Sequence, residues 1–292
     1  MKSAATLRFV KATARSAVSP PGSALVAVLR LLHPFPSVLL AGLTVALVRV
    51  ADADAGLGLY LQLGLGMLLY QLSIGITNDV VDADDDAVAK AWKALPRGIV
   101  SRRAAVLAAA GCAGAALLVT AGLDTGVWLI GLAGWSSGMA YNLWLKRTLL
   151  SWLPYSIAFP LVPVWVYLAT DAWRPLLWWV FPLGALLGLG LHLANQTPDV
   201  EADRRAGVRG TAQTFGAARS RAMAVGLFGA AGALAVGVLA FESSGRAALA
   251  ATDVLFAALM APRATRYFGR DGLFGLLCAA TAVLAVVFLS AV

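Results

Sequence analysis

Residues 57–87 read LGLYLQLGLGMLLYQLSIGITNDVVDADDDA and join a long apolar run to a cluster of acidic residues. From residue 57 to residue 78 the run contains no charged side chain. A helix needs about 20 predominantly apolar residues to cross the hydrocarbon core of a bilayer. The run therefore predicts a membrane-spanning helix at 57–79, with the acidic residues at one of its ends.

Similar apolar runs recur along the whole chain. The 292 residues are 60% hydrophobic and 13% charged, with a mean hydropathy of +0.79, whereas soluble domains are roughly half apolar and a quarter charged. Breaking the sequence at charges and turn residues gives nine predicted spans, at 35–51, 57–79, 104–123, 126–145, 150–169, 175–196, 219–241, 247–261 and 272–291. The sequence thus predicts an all-α polytopic membrane protein in which residues 1–292 form a single transmembrane domain.

The basic residues are distributed unevenly between the two sides of the predicted membrane. When the N-terminus and alternate loops are assigned to one side, that side receives 20 of the 23 Lys and Arg residues. Because cytoplasmic loops carry the excess of Lys and Arg, we predict a cytoplasmic N-terminus, with a flexible tail at 1–25, and a C-terminus on the opposite side of the cell inner membrane. The formal net charge of +8 is then explained by orientation and by contact with anionic lipid headgroups, and we expect no binding to nucleic acid.

An acidic motif, Asn-x-x-x-Asp-x-x-x-Asp, occurs twice, at the ends of the second and sixth spans. The chain has only three asparagines, and two of them begin this motif, which comprises Asn78, Asp82 and Asp86 in its first copy and Asn195, Asp199 and Asp203 in its second. Residues four apart share one face of a helix, so each copy would present its oxygens along a stripe, the second only if the helix continues past Pro198. The repeat also predicts two related four-helix units plus a last helix, and the small residues of the spans suit close helix packing around a cavity.

Carboxylate and amide oxygens are the ligands that hard divalent cations prefer, and Mg²⁺ is usually held by one or two carboxylates together with substrate phosphates. Two facing motifs therefore favour a diphosphate bridged by Mg²⁺, with a solvated acidic loop as the alternative. Basic residues follow both motifs, namely Lys90, Lys93 and Arg97 after the first and Arg204, Arg205 and Arg209 after the second. These residues would either clamp the diphosphate or serve only as orientation signals.

A third cytoplasmic loop carries Tyr141, Asn142 and Lys146 at the end of the fourth span. These side chains would reach the same cavity as the acidic motifs. The alternative is an aromatic and basic anchor at the membrane interface.

With these motifs the chain resembles the UbiA superfamily of intramembrane prenyltransferases over most of its length. The family's first motif, Asn-Asp-x-x-Asp-x-x-x-Asp, is matched at Asn78, Asp79, Asp82 and Asp86, and its second, Asp-x-x-x-Asp, at Asp199 and Asp203. The resemblance implies nine transmembrane helices around a central cavity whose cytoplasmic mouth holds Mg²⁺ and a prenyl diphosphate. Arg30-x-x-His33-Pro34 also looks like the family's Arg-x-x-Lys-Pro element, which makes Arg30 a candidate phosphate or acceptor contact.

The chain departs from the family pattern at three places. The family's basic loop, Lys-Pro-x-x-Arg-Pro, reads Lys90-Ala-Trp-Lys93-Ala-Leu here, so Lys93 replaces the arginine and both prolines are missing. Tyr141 and Lys146 are five residues apart, where the family has Tyr-x-x-x-Lys. The second motif opens with Asn195, where many members carry an acid.

The predicted site contains four groups of residues. We expect Asp82, Asp86, Asp199 and Asp203 to be catalytic and, with Asn78 and Asn195, to bind Mg²⁺. We expect diphosphate to be bound by Arg30, Lys90, Lys93, Lys146 and Arg209. We expect the acceptor or the cavity wall to involve Tyr141, Asn142 and Tyr155.

The predicted reaction is metal-assisted transfer of a prenyl group from a prenyl diphosphate to an aromatic or lipid-like acceptor, with release of diphosphate. A terpene cyclase of the same fold, which needs no acceptor, is the main alternative. A transporter is disfavoured because the acids lie at the mouth rather than at the midplane. A catalytically silent relative that binds prenyl diphosphate is the last alternative.

Overall fold

The computed structural model describes residues 24–205 and 207–291, without the side chains of Ala89 and Phe268. These residues form α-helices and contain no strand, as the sequence predicts. The helices are Ala24–Leu31 (α1), Pro34–Ala51 (α2), Leu57–Ala89 (α3), Arg102–Thr120 (α4), Thr125–Ala140 (α5), Leu153–Ala169 (α6), Val180–Gln196 (α7), Val200–Arg205 (α8), Thr211–Phe215 (α9), Ala217–Glu242 (α10), Ser244–Met260 (α11), Ala264–Phe268 (α12) and Gly272–Leu289 (α13). A π-helix at Tyr141–Leu145 extends α5, and short 3-10 helices occupy Pro175–Trp179 and Ala261–Arg263.

Several helices begin where a polar side chain satisfies a free backbone N–H group. Ser101 accepts a hydrogen bond from the N–H of Ala104 (3.1 Å) before α4. Asp124 accepts one from the N–H of Gly126 (2.8 Å) before α5. Such caps matter because the first turn of a helix has no intrahelical partners for its N–H groups.

Seven helical segments in the described chain are long and apolar enough to cross a membrane. Helix α6 is a shorter apolar helix, and α5 is shorter still because it changes to a π-helix at Tyr141. The polytopic membrane fold is therefore confirmed, while the count of nine spans stays a prediction. The grouping into two related four-helix units also stays a prediction.

The helices pack into a ring. Helices adjacent in sequence contact each other from α2 to α4, from α5 to α7, and from α10 to α11. Helix α7 contacts α10, and α13 packs against α11, α7 and α2, which closes the ring. The interior contains a cavity, described below.

The largest difference from the predicted boundaries lies at the end of the second span. The sequence ends that span at residue 79, but α3 continues for ten more residues, to Ala89. The acidic residues are therefore helical and lie on the last turns of α3, because Lys93 and Lys146 offset their charges, as shown below. Residues 24 and 25 of the predicted tail begin α1, and the rest of that tail lies outside the described residues.

Candidate active site

Lys93 joins two carboxylates of the first motif. Its Nζ donates to Asp79 Oδ1 and to Asp86 Oδ2, each at 2.7 Å. Burial disfavours the ammonium ion, but the two carboxylates outweigh burial, so the pKa of Lys93 is raised. Lys93 thus carries a full positive charge in an enclosed position, with only 12% of its side chain exposed.

His33 approaches the same cluster from the start of α2. Its Nε2 lies 3.1 Å from Asp79 Oδ1, within hydrogen-bond distance, and its backbone is left-handed, with φ 46°. A non-glycine residue adopts this conformation at some cost in energy. Gly75 leaves room for the ring, because a Cβ there would lie 3.0 Å from His33 Cδ2.

The third cytoplasmic loop supplies the cation for Asp82. Lys146 follows the π-helix directly, and its Nζ donates to Asp82 Oδ1. The neighbouring Arg147 pairs with Asp85 on the exposed side of α3. Burial lowers the pKa of Lys146 despite the attraction of Asp82, so this lysine gives up its proton more readily than Lys93.

The second motif is tied to the first by Lys90. The Nζ of Lys90 donates to Asp199 Oδ2 at 2.8 Å, across 109 positions in the chain. Arg270, from the loop between α12 and α13, donates to the other oxygen, Oδ1, at 2.6 Å. The basic loop after α3 therefore bridges the two acidic motifs.

Asp203 lies on α8 within electrostatic reach of both motifs. Gln213 on α9 donates its Nε2 to Asp203 Oδ2 at 2.8 Å. Burial raises the pKa of Asp203, and the carboxylates of Asp199 and Asp82 raise it further, against the hydrogen bond from Gln213 and the charge of Lys90. Asp203 of the second motif thus interacts electrostatically with Asp82 of the first.

The second motif does not form a single stripe along one helix, because the helix does not continue past Pro198. Helix α7 ends at Gln196, residues 197–199 form a turn, and α8 begins at Val200. Pro198 lacks the N–H group that a continuous helix would use. Asn195 consequently stays on α7 and donates its Nδ2 to Tyr155 OH at 3.1 Å, while Asp199 and Asp203 lie beyond the break.

Asn142 does not line the cavity, contrary to the prediction. It is buried, donates its Nδ2 to the carbonyl of Ile74 at 2.8 Å, and accepts a hydrogen bond from Asn78 Nδ2 at 3.0 Å. A buried amide needs partners for all its polar atoms, and α3 supplies them. Asn142 therefore holds the π-helix against the first motif and fixes the amide of Asn78.

Two of the predicted diphosphate ligands lie away from the ion-pair network. Arg30 is exposed and its guanidinium lies 5.0 Å from the ring centroid of Trp92, in the basic loop. Arg209 is exposed and makes no ion pair among the described residues. The structure thus brings together Lys90, Lys93 and Lys146 with the acids, but not these two arginines.

An apolar cavity of about 220 Å³ lies inside the ring of helices. Tyr141 and Tyr155 line it, and their rings meet edge to face with centroids 5.3 Å apart. Gln196 donates its Nε2 to Tyr141 OH at 2.8 Å, and Gln213 donates to Gln196 Oε1 at 3.3 Å. A chain of hydrogen bonds therefore runs from Asp203 to the cavity wall.

Four polar residues of this site were missed by the sequence reasoning, namely His33, Gln196, Gln213 and Arg270. Polar side chains are scarce in this chain, so Gln196, directly after Asn195, offered a signal. Gln213 and Arg270 offered no such signal, since no feature of the neighbouring sequence relates them to the acidic motifs.

The residues at the site fit a hard divalent cation together with a diphosphate. Among the described residues no group of three or more His, Cys, Asp or Glu side chains is arranged to hold a metal ion. Mg²⁺ does not require such a cage, because substrate phosphates and water complete its coordination. The donor set consists of carboxylate oxygens, and each of these carboxylates, apart from Asp203, already binds a cationic side chain.

Residues 35–273 match the UbiA prenyltransferase family. Among solved structures, a UbiA homologue from Archaeoglobus fulgidus bound to GPP and Mg²⁺ has a TM-score of 0.68 at 18% identity, with 89% of this chain and 99% of that chain covered. A UbiA homologue from Aeropyrum pernix K1 has a TM-score of 0.67 at 18% identity, with 86% and 96% covered. A digeranylgeranylglyceryl phosphate synthase has a TM-score of 0.64 at 15% identity, with 92% and 98% covered.

No curated protein matches the chain at a significant level. The structural likenesses show the shared fold, and the sequence match spans both acidic motifs and every helix from α2 to α12. The chain therefore belongs to the UbiA prenyltransferase family.

Proposed function

We propose that this protein is a Mg²⁺-dependent intramembrane enzyme that transfers a prenyl group from a prenyl diphosphate to an aromatic or lipid-like acceptor and releases diphosphate. One observation carries the proposal. The carboxylates at the end of α3 and around α8, with the lysines of the loops after α3 and α5, form a charged cluster beside an apolar cavity, and Gln213, Gln196 and Tyr141 link Asp203 of this cluster to the cavity wall. A prenyl diphosphate matches this arrangement, because its charged diphosphate would lie among the charged side chains and its apolar chain would lie in the cavity.

The two acidic motifs would hold the metal ions through Asp82, Asp86, Asp199 and Asp203, with Asn78 beside them. Mg²⁺ bound there would neutralise charge on the departing diphosphate. In the relatives, the Archaeoglobus fulgidus homologue was crystallised with GPP and Mg²⁺ and also with DMAPP and Mg²⁺. We expect Asn195 to contribute by holding Tyr155 rather than by binding metal.

The lysines would change partners when the diphosphate arrives. Lys90, Lys93 and Lys146 each bind a carboxylate now, and phosphate oxygens would accept the same hydrogen bonds once the acids bind metal. Fixed cations in an enclosed site stabilise the charge that develops on the leaving group. Arg30 and Arg209 lie outside this network and would contact the diphosphate only after a side-chain rearrangement.

The cavity would protect the allylic cation that remains after diphosphate leaves. Tyr155 and Phe159 stack along its wall with centroids 6.1 Å apart, and both line the cavity. Aromatic faces attract cations, and an apolar wall excludes the water that would otherwise capture the cation.

A cyclase that uses no acceptor is the second candidate, favoured by the aromatic rings deeper in the cavity. Tyr70 lies 6.3 Å from Trp135 and 6.5 Å from Trp165 between ring centroids, and all three rings line the cavity. Only the prenyl chain of the donor itself would reach rings this far from the motifs, where they would stabilise a migrating cation.

We also propose that residues 1–292 form one transmembrane domain in the cell inner membrane, with the N-terminus cytoplasmic and the C-terminus on the opposite side. The uneven distribution of Lys and Arg supports this orientation. It would place both acidic motifs at the cytoplasmic surface.

The test compares variants of the acidic residues in detergent-purified protein. We expect Asp82→Ala and Asp199→Ala each to lower Mg²⁺-dependent release of diphosphate by at least about a hundredfold, because each removes a charge that organises the leaving group. Asp85→Ala is the matched control, since Asp85 is a neighbouring but exposed acid, and its rate should stay within about twofold of the original. Full turnover by Asp82→Ala, with an unchanged size-exclusion profile, would contradict the mechanism.

The same assay separates the two candidate reactions. Prenyl diphosphates are incubated with and without aromatic acceptors, and the products are identified by mass spectrometry. A prenylated acceptor supports the transferase, whereas a hydrocarbon or alcohol formed without acceptor supports the cyclase.

A further inference from the structure

Helices α5 and α6 line the cavity from Tyr141 and Tyr155, at the end of the ring that carries the acidic motifs, to Gly131 and Trp165. These helices are antiparallel, with Tyr141 beside Tyr155 at one end and Gly131 beside Trp165 at the other. Ten residues separate the two ends on each helix, which corresponds to about 15 Å at the rise of an α-helix. The depth of the cavity from its mouth at Tyr141 and Tyr155 to Trp165 is therefore about 15 Å.

Trp165 spans the deep end of the cavity. A Cβ on Gly131 would lie 3.0 Å from Trp165 Cε2 and Nε1, so the indole of α6 reaches the backbone of α5 because Gly131 has no side chain. Trp165 also packs against Tyr70 of α3. The indole Nε1 has no hydrogen-bond partner among the described residues, so shape and packing hold it there.

Buried core lies behind Trp165 on two sides. One helical turn further from the mouth, the wall residues are followed by Leu63 on α3 and Val127 on α5, which are 0% and 6% exposed. A close-packed core of this kind leaves no room for a ligand. The cavity thus ends at Trp165 on these two sides, whereas Leu47 on α2 lines a second, smaller chamber.

We infer that Trp165 is the floor of the donor site and limits the prenyl chain to about three isoprene units. The inference rests on the proposed function, because it takes the diphosphate to lie at the acidic motifs and the chain to extend into the cavity. Carbon–carbon bonds are about 1.5 Å long, so each isoprene unit, with four main-chain bonds, extends by about 5 Å. Three units match the depth of about 15 Å, and a fourth would meet the indole.

A second, smaller apolar chamber of about 80 Å³ lies beside the cavity, beyond Phe159 and Val162. A long chain that turned into this chamber would bypass Trp165. Variants of Trp165 would then leave the preferred chain length unchanged.

Two substitutions are expected to move the length limit in opposite directions. Trp165→Ala removes the floor and should admit a longer chain. Gly134→Leu should shorten the site, because Gly134 lines the cavity and a Cβ there meets no atom within 4 Å, which leaves space for the new side chain to enter. The glycine variant tests the proposal even where Trp165→Ala does not fold.

Each variant has a matched control outside the cavity. Trp178→Ala removes an exposed indole that packs on Trp173. Gly111→Leu adds the same side chain at an exposed glycine of α4 that also has open space around it. Neither control should change chain-length preference.

The experiment measures binding and turnover separately. Mg²⁺-dependent affinities are measured for unreactive thiodiphosphate analogues carrying dimethylallyl, geranyl, farnesyl and geranylgeranyl chains, and diphosphate release is measured for the corresponding donors. We expect Trp165→Ala to raise the preference for geranylgeranyl over farnesyl by at least about tenfold. We expect Gly134→Leu to lower the preference for farnesyl over geranyl by a similar factor. Effects of this size are reasonable because a single carbon group in an apolar pocket discriminates between substrates by this much.

An unchanged length ranking in folded Trp165→Ala overturns the proposed floor, as does an unchanged ranking in Gly134→Leu where Trp165→Ala does not fold, even if diphosphate is still released and still requires Asp82. Binding of the analogues without any diphosphate release overturns the proposed reaction instead, and the length ranking still tests the floor. The two proposals therefore fail on different measurements.

Discussion

At the residue scale, the site is a set of buried charges that offset one another. Lys93 binds two carboxylates and its pKa is raised, whereas Lys146 binds one and its pKa is lowered by burial. Removing one partner of a buried ion pair leaves an uncompensated charge. The acids and bases of the network thus offset one another as a group, since Lys93 is shared by two carboxylates and Asp199 is bound by two cations. Asp203 differs, because its direct partner is the neutral Gln213.

Asp203 provides a prediction on pH dependence. Its pKa is raised in the folded protein, so the folded state binds the proton more tightly than the unfolded state, and stability is lost as pH rises through this interval. Asp203→Asn removes the ionisable group, so this loss of stability with rising pH no longer occurs. The asparagine still offers an oxygen that accepts the hydrogen bond from Gln213. We expect its thermal unfolding temperature, measured in detergent with EDTA, to exceed that of the original protein at pH 7, and the difference to vanish below about pH 4.

Asp85→Asn is the control for this measurement, because Asp85 pairs with Arg147 at the surface. Its unfolding temperature should show no such gain at pH 7. A lower unfolding temperature for Asp203→Asn at pH 7 would contradict the sign of the shift.

At the element scale, helices α6 and α7 contact each other through backbone. A Cβ on Gly188 would lie 2.6 Å from the carbonyl oxygen of Tyr155, and one on Gly184 would lie 2.8 Å from Pro160 N and Cδ. Glycines four apart let membrane helices approach closely. This contact sets the position of Tyr155, and hence of one wall of the cavity.

Gly188→Ala should therefore separate the two helices. We expect a loss of stability of about 1–3 kcal/mol from overpacking, seen as a lower unfolding temperature, and reduced turnover because Tyr155 moves. Gly226→Ala on α10 is the control, since a Cβ there meets nothing within 4 Å and alanine favours helix. Equal stability of the two variants would show that the contact is not tight.

At the scale of the whole molecule, the ring of helices has two different ends. The end with the ion-pair network gathers the loops after α3, α5, α7 and α12, and the basic residues of that network, Lys90, Lys93, Lys146 and Arg270, lie in these loops. The opposite end holds the tight connections after α2 and α10. This polarity is the physical basis of the proposed orientation.

Labelling of single cysteines tests that orientation. In a background with Cys112→Ala and Cys278→Ala, Glu201→Cys and Ser244→Cys place exposed thiols at opposite ends of the ring. A membrane-impermeant maleimide added to intact cells should label the Ser244→Cys variant but not the Glu201→Cys variant. After the cells are permeabilised, it should label both variants. Labelling of Glu201→Cys in intact cells would reverse the orientation.

The sequence by itself determined the membrane-spanning helical class, the approximate place of the spans and the two acidic motifs. These are local properties, because hydropathy over about 20 residues and a spacing of four residues need no knowledge of the rest of the chain. Lys90 and Lys93 were also predictable, since they follow the first motif closely, and Lys146 was predicted from its place with Tyr141 at the end of a span. The sequence did not show that the helix continues past the predicted end of the second span to Ala89, where Lys93 and Lys146 compensate the charges of the acids.

Only the tertiary structure decided which cation meets which acid, where Asn195 and Asn142 face, and how deep the cavity is. Lys90 reaches Asp199 across 109 positions, and Trp165 fits because Gly131 of another helix leaves it space. Such contacts depend on the register and rotation of packed helices, which many distant side chains fix together. For that reason the charged residues of the site could be predicted from the sequence, whereas the proposed limit on the length of the prenyl chain depends on the tertiary structure.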